Sequence, residues 1–188
     1  LWVGTFDGLN LIDRDGKVAR FSFRQGDPKG LSHSSIRSLM QDKKGSIWVG
    51  TYFGGINLYD NLLNRFDHFY HLPGNQESLS YDVVGCFSET SSEKLLIGTE
   101  RGGINFLDEQ SRVHRYDPTS KETVKSMIKD SQGRVWAGLF RKGLVEVRES
   151  PPFFREVVLR EASGKRLFEQ GIINDIQENG SGRLWLAM

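Results

Sequence analysis

Five copies of one short apolar segment punctuate the chain, and their spacing limits the folds open to it more than any other feature. Leu1-Trp-Val-Gly-Thr5, Ile47-Trp-Val-Gly-Thr51, Leu95-Leu-Ile-Gly-Thr99, Val135-Trp-Ala-Gly-Leu139 and Leu184-Trp-Leu-Ala-Met188 align on Trp2, Trp48, Leu96, Trp136 and Trp185, at intervals of 46, 48, 40 and 49 residues. Each run is rich in β-branched and aromatic residues and too short for a helix, so each reads as a strand. A strand apolar on both sides must be covered on both. Gly-(Leu/Ile)-Asn follows at Gly8, Gly55 and Gly103, with Gly143-Leu-Val145 as a weaker fourth copy. Asp-x-x-Gly precedes the Trp strand at Asp42 and Asp130, and loosely as Glu178 to Gly182. Gly30-Leu-Ser32 and Ser78-Leu-Ser80 recur in the polar stretches between copies. A period in the forties with several strands per unit is the signature of a β-propeller blade.

Taken in order, strands are expected at 1–5, 9–13 and 18–24; at 36–41, 47–51, 56–60 and 65–70; at 82–88, 94–98, 104–108 and 113–116; at 124–128, 134–138, 144–147 and 154–160; and at 172–177 and 183–187. The blade units are then approximately 1–24, 36–70, 82–116, 124–160 and 172–188, an all-β propeller of about four four-stranded blades. The long polar segments 25–35 and 71–81 must carry the chain from the rim of one blade to the hub of the next. The strand after each long loop is therefore innermost. The long loops and the turns after the Trp strands then share one face, and the Asp-x-x-Gly turns lie on the other.

Charge and composition exclude several classes. The net charge is +1 with both signs mixed throughout, so no basic stripe points to nucleic acid. No apolar run is long enough to cross a bilayer as a helix. Cys86 is the sole cysteine, which rules out an internal disulfide framework. Because the chain opens inside a repeat, its true N-terminus is expected to lie upstream.

The pattern (Leu/Ile)-Trp-Val-Gly-Thr-x-x-Gly-Gly-(Leu/Ile)-Asn-x-Tyr-Asp, followed by Phe-x-x-Tyr, Ser-Leu-Ser and Asp-x-x-Gly, resembles the two-component regulator propeller repeat. The likeness runs through residues 1–188 and is sharpest in the first three copies; Trp is replaced at Leu96, Thr is lost at Leu139 and Met188, and the fourth unit lacks Ser-Leu-Ser. Such repeats fill the periplasmic sensor region of hybrid histidine kinases, chiefly of gut Bacteroidetes. The resemblance implies a seven-bladed ring, for which about 46 residues per blade would need roughly 320, so an open arc cut from a larger ring is expected here. It further implies an inner-membrane receptor facing the periplasm, a second propeller in the same chain, a homodimer of the intact receptor, and an oligosaccharide ligand that controls polysaccharide-utilisation genes. No cofactor or metal is implied. The alternatives are a propeller used only for protein–protein contact or dimer assembly and, less favoured, a polysaccharide lyase or hydrolase.

The individual constellations mostly have plain readings. Asp13-Arg-Asp-Gly16 has half of a calcium loop but lacks the third ligand position and the terminal Glu, so a hairpin turn is the better reading. His68 and His71 lie three apart on a strand and point to opposite faces, which disfavours a shared zinc. Cys86 reads as a small buried filler, and the repeated Trp as packing between blades. What varies between copies is the turn after the Trp strand: Phe6-Asp7, Tyr52-Phe53, Glu100-Arg101 and Phe140-Arg141. Aromatic rings beside charged groups suit a saccharide, the ring covering an apolar sugar face and the charges taking directed hydrogen bonds. His33, Ser34, Asn75 and Tyr81 of the long loops are expected on the same side. These twelve residues form the candidate site, with ordinary solvated turns as the competing explanation.

Overall fold

Short hairpins carry the chain back and forth through each sheet. The computed structural model describes residues 1–25, 27, 29–60, 65–92, 94–108, 110–116, 121–150, 153–167 and 171–188. Among these the strands are β1 (Trp2–Thr5), β2 (Gly8–Ile12) and β3 (Val18–Phe21); β4 (Ile36–Gln41), β5 (Ile47–Thr51), β6 (Ile56–Asp60) and β7 (Arg65–Phe69); β8 (Val84–Glu89), β9 (Leu95–Thr99), β10 (Gly103–Leu107) and β11 (Val113–Arg115); β12 (Val124–Lys129), β13 (Val135–Leu139), β14 (Gly143–Val147) and β15 (Phe154–Glu156); and β16 (Asp175–Glu178) with β17 (Leu184–Ala187). Each group is one antiparallel sheet in sequence order. The strands after the long loops, β4, β8, β12 and β16, lie in series beside one another, with β1 against β4. That is the hub order of a propeller, and the first sheet is not paired to the fifth.

Several strands end earlier than their residues suggest. β3 stops at Phe21 because Phe23 bridges Leu31 of the following loop instead. β15 stops at Glu156, although Val157 N–H still reaches Leu144 O at 2.9 Å. The innermost strand of the last sheet begins at Asp175 rather than at 172, because its pairing with β17 is continued irregularly by Asn174 N–H to Ala187 O.

The apolar core lies between sheets rather than within one. Trp48 is 8% exposed and packs with Leu95, Leu107 and Val113 of the next sheet. Trp136 does the same with Ile173 and Ile176. Trp185, in the two-stranded sheet β16–β17, is 66% exposed. The glycine two residues after each Trp exists for the same packing. A Cβ on Gly4 would meet Ile36 Cγ2 of the next sheet's first strand at 2.6 Å, one on Gly50 Val84 Cγ1 at 3.0 Å, one on Gly98 Val124 Cγ1 at 2.9 Å, and one on Gly138 Ile173 Cγ2, just ahead of β16, at 2.8 Å. The last copy carries Ala187 at this position.

One carboxylate organises each Asp-x-x-Gly turn. Asp42 Oδ1 accepts from the N–H groups of Lys44 and Ser46, while Oδ2 accepts from Trp48 Nε1 at 2.9 Å. Asp130 repeats this with Gln132, Arg134 and Trp136. In the fifth unit the turn acceptor is Asn179, not Glu178, taking the N–H groups of Ser181 and Arg183. Glu178 instead crosses to Ser131 of the preceding sheet. Asp13 likewise accepts from Asp15 and Lys17 N–H in a plain hairpin turn.

His68 Nε2 and His71 Nδ1 each donate to a separate backbone carbonyl, Gly30 O and Leu79 O. Cys86 lies on β8 beside Gly98; the residue keeps some exposed surface, but burial of the thiol pushes its pKa up to about 12.

Candidate functional site on the loop face

Two repeated side chains shape the face that carries the long loops. The threonine closing this strand in the first three copies braces the turn that follows: Thr5 Oγ1 donates to Gly8 O, Thr51 Oγ1 donates to Gly55 O and accepts from Gly54 N–H, and Thr99 Oγ1 donates to Gly103 O. The asparagine of Gly-(Leu/Ile)-Asn clamps the long loop. Asn57 Oδ1 accepts from Ser32 N–H at 2.8 Å and Nδ2 donates to Ser32 Oγ; Asn105 holds Ser80 in the same way. Both asparagines are fully buried, so their polar atoms need these partners. The fourth unit has Val145 where Asn stood, and the loop ahead of it has no Ser-Leu-Ser. Losing both partners together leaves nothing buried and unpaired, which is why the exchange is tolerated.

On this frame the turns and hub strands build one continuous track. β4, β8 and β12 each carry a bulge near the start, between Ile36 and Ser38, Val84 and Cys86, and Val124 and Ser126. The extra residues are Arg37, Gly85 and Lys125, and a bulge re-aims its side chain away from the regular pleat. Arg37 lies over the Tyr52 ring with Cζ 5.6 Å from its centroid, and Lys125 Nζ is 5.8 Å from that of Phe140. Glu100 Oε1 sits between them, 3.7 Å from Arg37 and 3.7 Å from Lys125. Tyr52 meets Phe53 edge to face at 4.5 Å, Phe53 meets His33, and Arg141 covers Phe140 with Cζ 5.1 Å away. Rings and charges at these separations attract one another. Arg101 and Arg141 occupy the same turn position in their units and both hold positive φ, 65° and 64°.

Six of the twelve candidates therefore converge on the track: His33, Tyr52, Phe53, Glu100, Phe140 and Arg141. Arg101 stands beside Glu100 with its N–H on Thr123 Oγ1. Tyr81 is half-buried in the loop before β8. Phe6 is exposed, and Asp7 is ion-paired with Arg20 of the first sheet. Ser34 Oγ accepts from Phe23 N–H, and Asn75 Oδ1 accepts from Glu77 N–H, so both brace their own loops. The loop of Asn75 is tied to Arg115 on the outermost strand β11, which draws it towards the rim. Arg37 and Lys125 were not expected. Their only sequence signal is a cation between a β-branched residue and Ser at the head of a hub strand, in Ile36-Arg-Ser38 and Val124-Lys-Ser126.

The opposite face holds a cavity of 470 Å³ between the second and third sheets, lined in part by Lys43, Trp48, Lys94 and Asp108. His114 and Arg112 grip Asp108 there and hold its carboxyl well below the usual carboxylate range. Its walls are largely the repeated turns that organise the scaffold.

The family of two-component regulator propellers matches at residues 30–53. Histidine kinase P4 of Formosa agariphila is 33% identical over 146 residues, 72% of this chain and 10% of that protein, so the chain spans about a tenth of this curated relative. The extracellular domain of a putative hybrid two-component system from B. thetaiotaomicron superposes with a TM-score of 0.78 at 22% identity, over 98% of this chain and 24% of that one. Virginiamycin B lyase from Staphylococcus aureus gives 0.71 at 14% identity, over 98% and 58%. At these identities the two solved structures speak for the propeller fold alone.

Proposed function

The chain carries two-component regulator propeller repeats, and from that premise we propose that it is a ligand-binding part of the extracytoplasmic sensor of a transmembrane histidine kinase. The kinase is the enzyme of such a receptor, and this segment binds. The similarity to Histidine kinase P4 over 72% of the chain supports the receptor context. The observation that carries the binding role is the track from Phe53 through Arg37, Glu100 and Lys125 to Phe140, where rings alternate with charges on an open face. The ligand class we assign is an oligosaccharide, whose apolar ring faces lie on the aromatics while its hydroxyls meet the charged groups. Binding changes the geometry or dimer contacts of the intact receptor, situated in the inner membrane with this segment in the periplasm, and so controls genes for polysaccharide use.

Catalysis is the weaker reading, because an acid–base mechanism needs a matched pair and the track presents one carboxylate between two cations. The test is calorimetric titration of the intact receptor with an oligosaccharide identified by glycan array. Tyr52→Ala and Arg101→Ala should weaken binding at least tenfold, and Lys43→Ala on the opposite face should leave it unchanged. Equal affinity in all three would place the ligand elsewhere in the receptor and leave this propeller with an assembly role.

A further inference from the structure

The hub of the loop face is charged in a particular way. Arg37 and Lys125 flank the third hub position, and that position is Gly85, where an added Cβ would meet nothing nearer than Val124 O at 3.5 Å. Two cations thus stand on either side of a place without a side chain. Glu100 Oε1 lies between the two cations, but at 3.7 Å from each it is beyond direct hydrogen-bond distance of both. All three side chains keep about a third of their surface open, 37% for Arg37, 29% for Lys125 and 30% for Glu100. The surrounding turns add Arg101, Arg141 and Lys142. The nearby carboxylates are engaged otherwise: Glu122 holds Lys142 at 2.7 Å, and Asp82 accepts from His71 N–H. Arg101 and Arg141 also adopt left-handed backbone where glycine is the easier residue.

We propose that the slot over Gly85, between Arg37 and Lys125, receives an anionic group of the ligand, a carboxylate or sulfate, so that the saccharide sensed is acidic. This rests on the binding role given above and narrows it. Glu100 takes the anion's place between the two cations and keeps two like charges from facing each other unscreened. A ligand carboxylate or sulfate takes over that role with direct bonds to Arg37 and Lys125, and those charge-assisted bonds are stronger than the loose contacts they replace. Tyr52 and Phe140, under the two cations, are placed for the sugar rings on either side of the acidic group.

The experiment uses the intact receptor and an oligosaccharide array with matched neutral, uronate-bearing and sulfated members, followed by titration of each binder. An acidic binder is expected, with affinity falling at least tenfold when its carboxylates are methyl-esterified or its sulfates removed; these two treatments tell the sources apart. Arg37→Gln and Lys125→Gln should each weaken it about tenfold with melting temperature unchanged, while Lys43→Gln does nothing. Gly85→Leu, which fills the slot without altering charge, should abolish binding. Glu100→Gln should strengthen binding several-fold, because it removes the competing carboxylate; a merely structural Glu100 would weaken or leave it. Binding of neutral members alone, or an acidic binder indifferent to Arg37→Gln and Lys125→Gln, would overturn this inference while the binding role stands. Binding of no glycan would overturn both.

Discussion

Replacing Asp130 by alanine should cost far more than the same change at Asp13, although both carboxylates close a four-residue turn in the same way. Asp13 accepts two backbone N–H groups at 2.9 and 2.8 Å on an exposed turn. Those donors regain water when the side chain is cut back, so the loss is about 1 kcal/mol, typical of a capping contact. Asp130 makes the same two bonds, at 3.0 and 2.8 Å, and also accepts from Trp136 Nε1 at 2.8 Å and Arg134 Nε at 2.7 Å. It is 4% exposed and Trp136 is 7% exposed. Asp130→Ala therefore strands a buried indole N–H, which adds about 1–3 kcal/mol. A total of about 2–4 kcal/mol is expected.

The assay is urea unfolding followed by tryptophan fluorescence, with slope as well as midpoint compared. The double-mutant cycle of Asp130→Ala with Trp136→Phe should return a coupling of about 1.5–3 kcal/mol. Acid gives an independent check. Burial opposes the ionised form of Asp130, but the bonds from Trp136 and Arg134 outweigh it and lower the pKa. A depressed carboxylate contributes stability that is present above the unfolded value near 3.9 and is lost as pH falls towards the folded one. The penalty of Asp130→Ala should thus shrink as pH is lowered from about 6 to 3. Equal penalties at Asp13 and Asp130, or a penalty at Asp130 that does not change with acid, would refute the reasoning.

Other substitutions follow from the same packing. Trp48→Ala should cost about 3–5 kcal/mol, the range for a buried aromatic, read by denaturant midpoint. Gly98→Ala brings a Cβ to 2.4 Å from Cys86 Sγ and 2.9 Å from Val124 Cγ1, so a loss of about 1–3 kcal/mol is expected, while Gly180→Ala, with open space around it, should be silent in the same melt. Cys86, with its thiol near pKa 12, should resist iodoacetamide at pH 8 in the folded protein and react once urea unfolds it, as followed by mass spectrometry. Arg115→Ala frees the carbonyls of Asn75, Ser78 and Leu79 and should open that loop to limited proteolysis.

The scaffold could be read in the sequence because each repeated residue answers a local demand that recurs. Trp48 needs cover on a face that only another sheet supplies, Gly50 must let that sheet approach, and Asp42 must close a four-residue turn. Each demand fixes a residue type at a fixed spacing, so alternation and turn chemistry suffice to find the strands. The Asn57 and Ser32 pairing was visible only as two separate repeats 25 residues apart; nothing in either copy says that they bond. Asn179 was hidden for a related reason. Its amide oxygen does the work of the Asp carboxylate, and the more strongly acidic Glu178 beside it draws the eye.

The site was legible in part, and the missing part has one cause. Tyr52, Glu100 and Phe140 stand in turns whose place on the loop face follows from counting strands, so variation between copies was enough to find them. Arg37 and Lys125 stand inside strands, where regular alternation gives every residue a ladder partner and a settled face. A bulge breaks that count by one residue, and no turn residue or proline announces it. What the bulge does is move a cation from the ladder to the hub in the second and fourth sheets and leave Gly85 in the third. A propeller repeats one sheet, so any ligand that needs three different contacts must find them where copies depart from one another. The turns depart in residue type alone, which sequence displays. The hub departs in residue type at a position that only the backbone's irregularity brings to the surface, and there Arg37 and Lys125 hold the charge on which the proposed ligand selection turns.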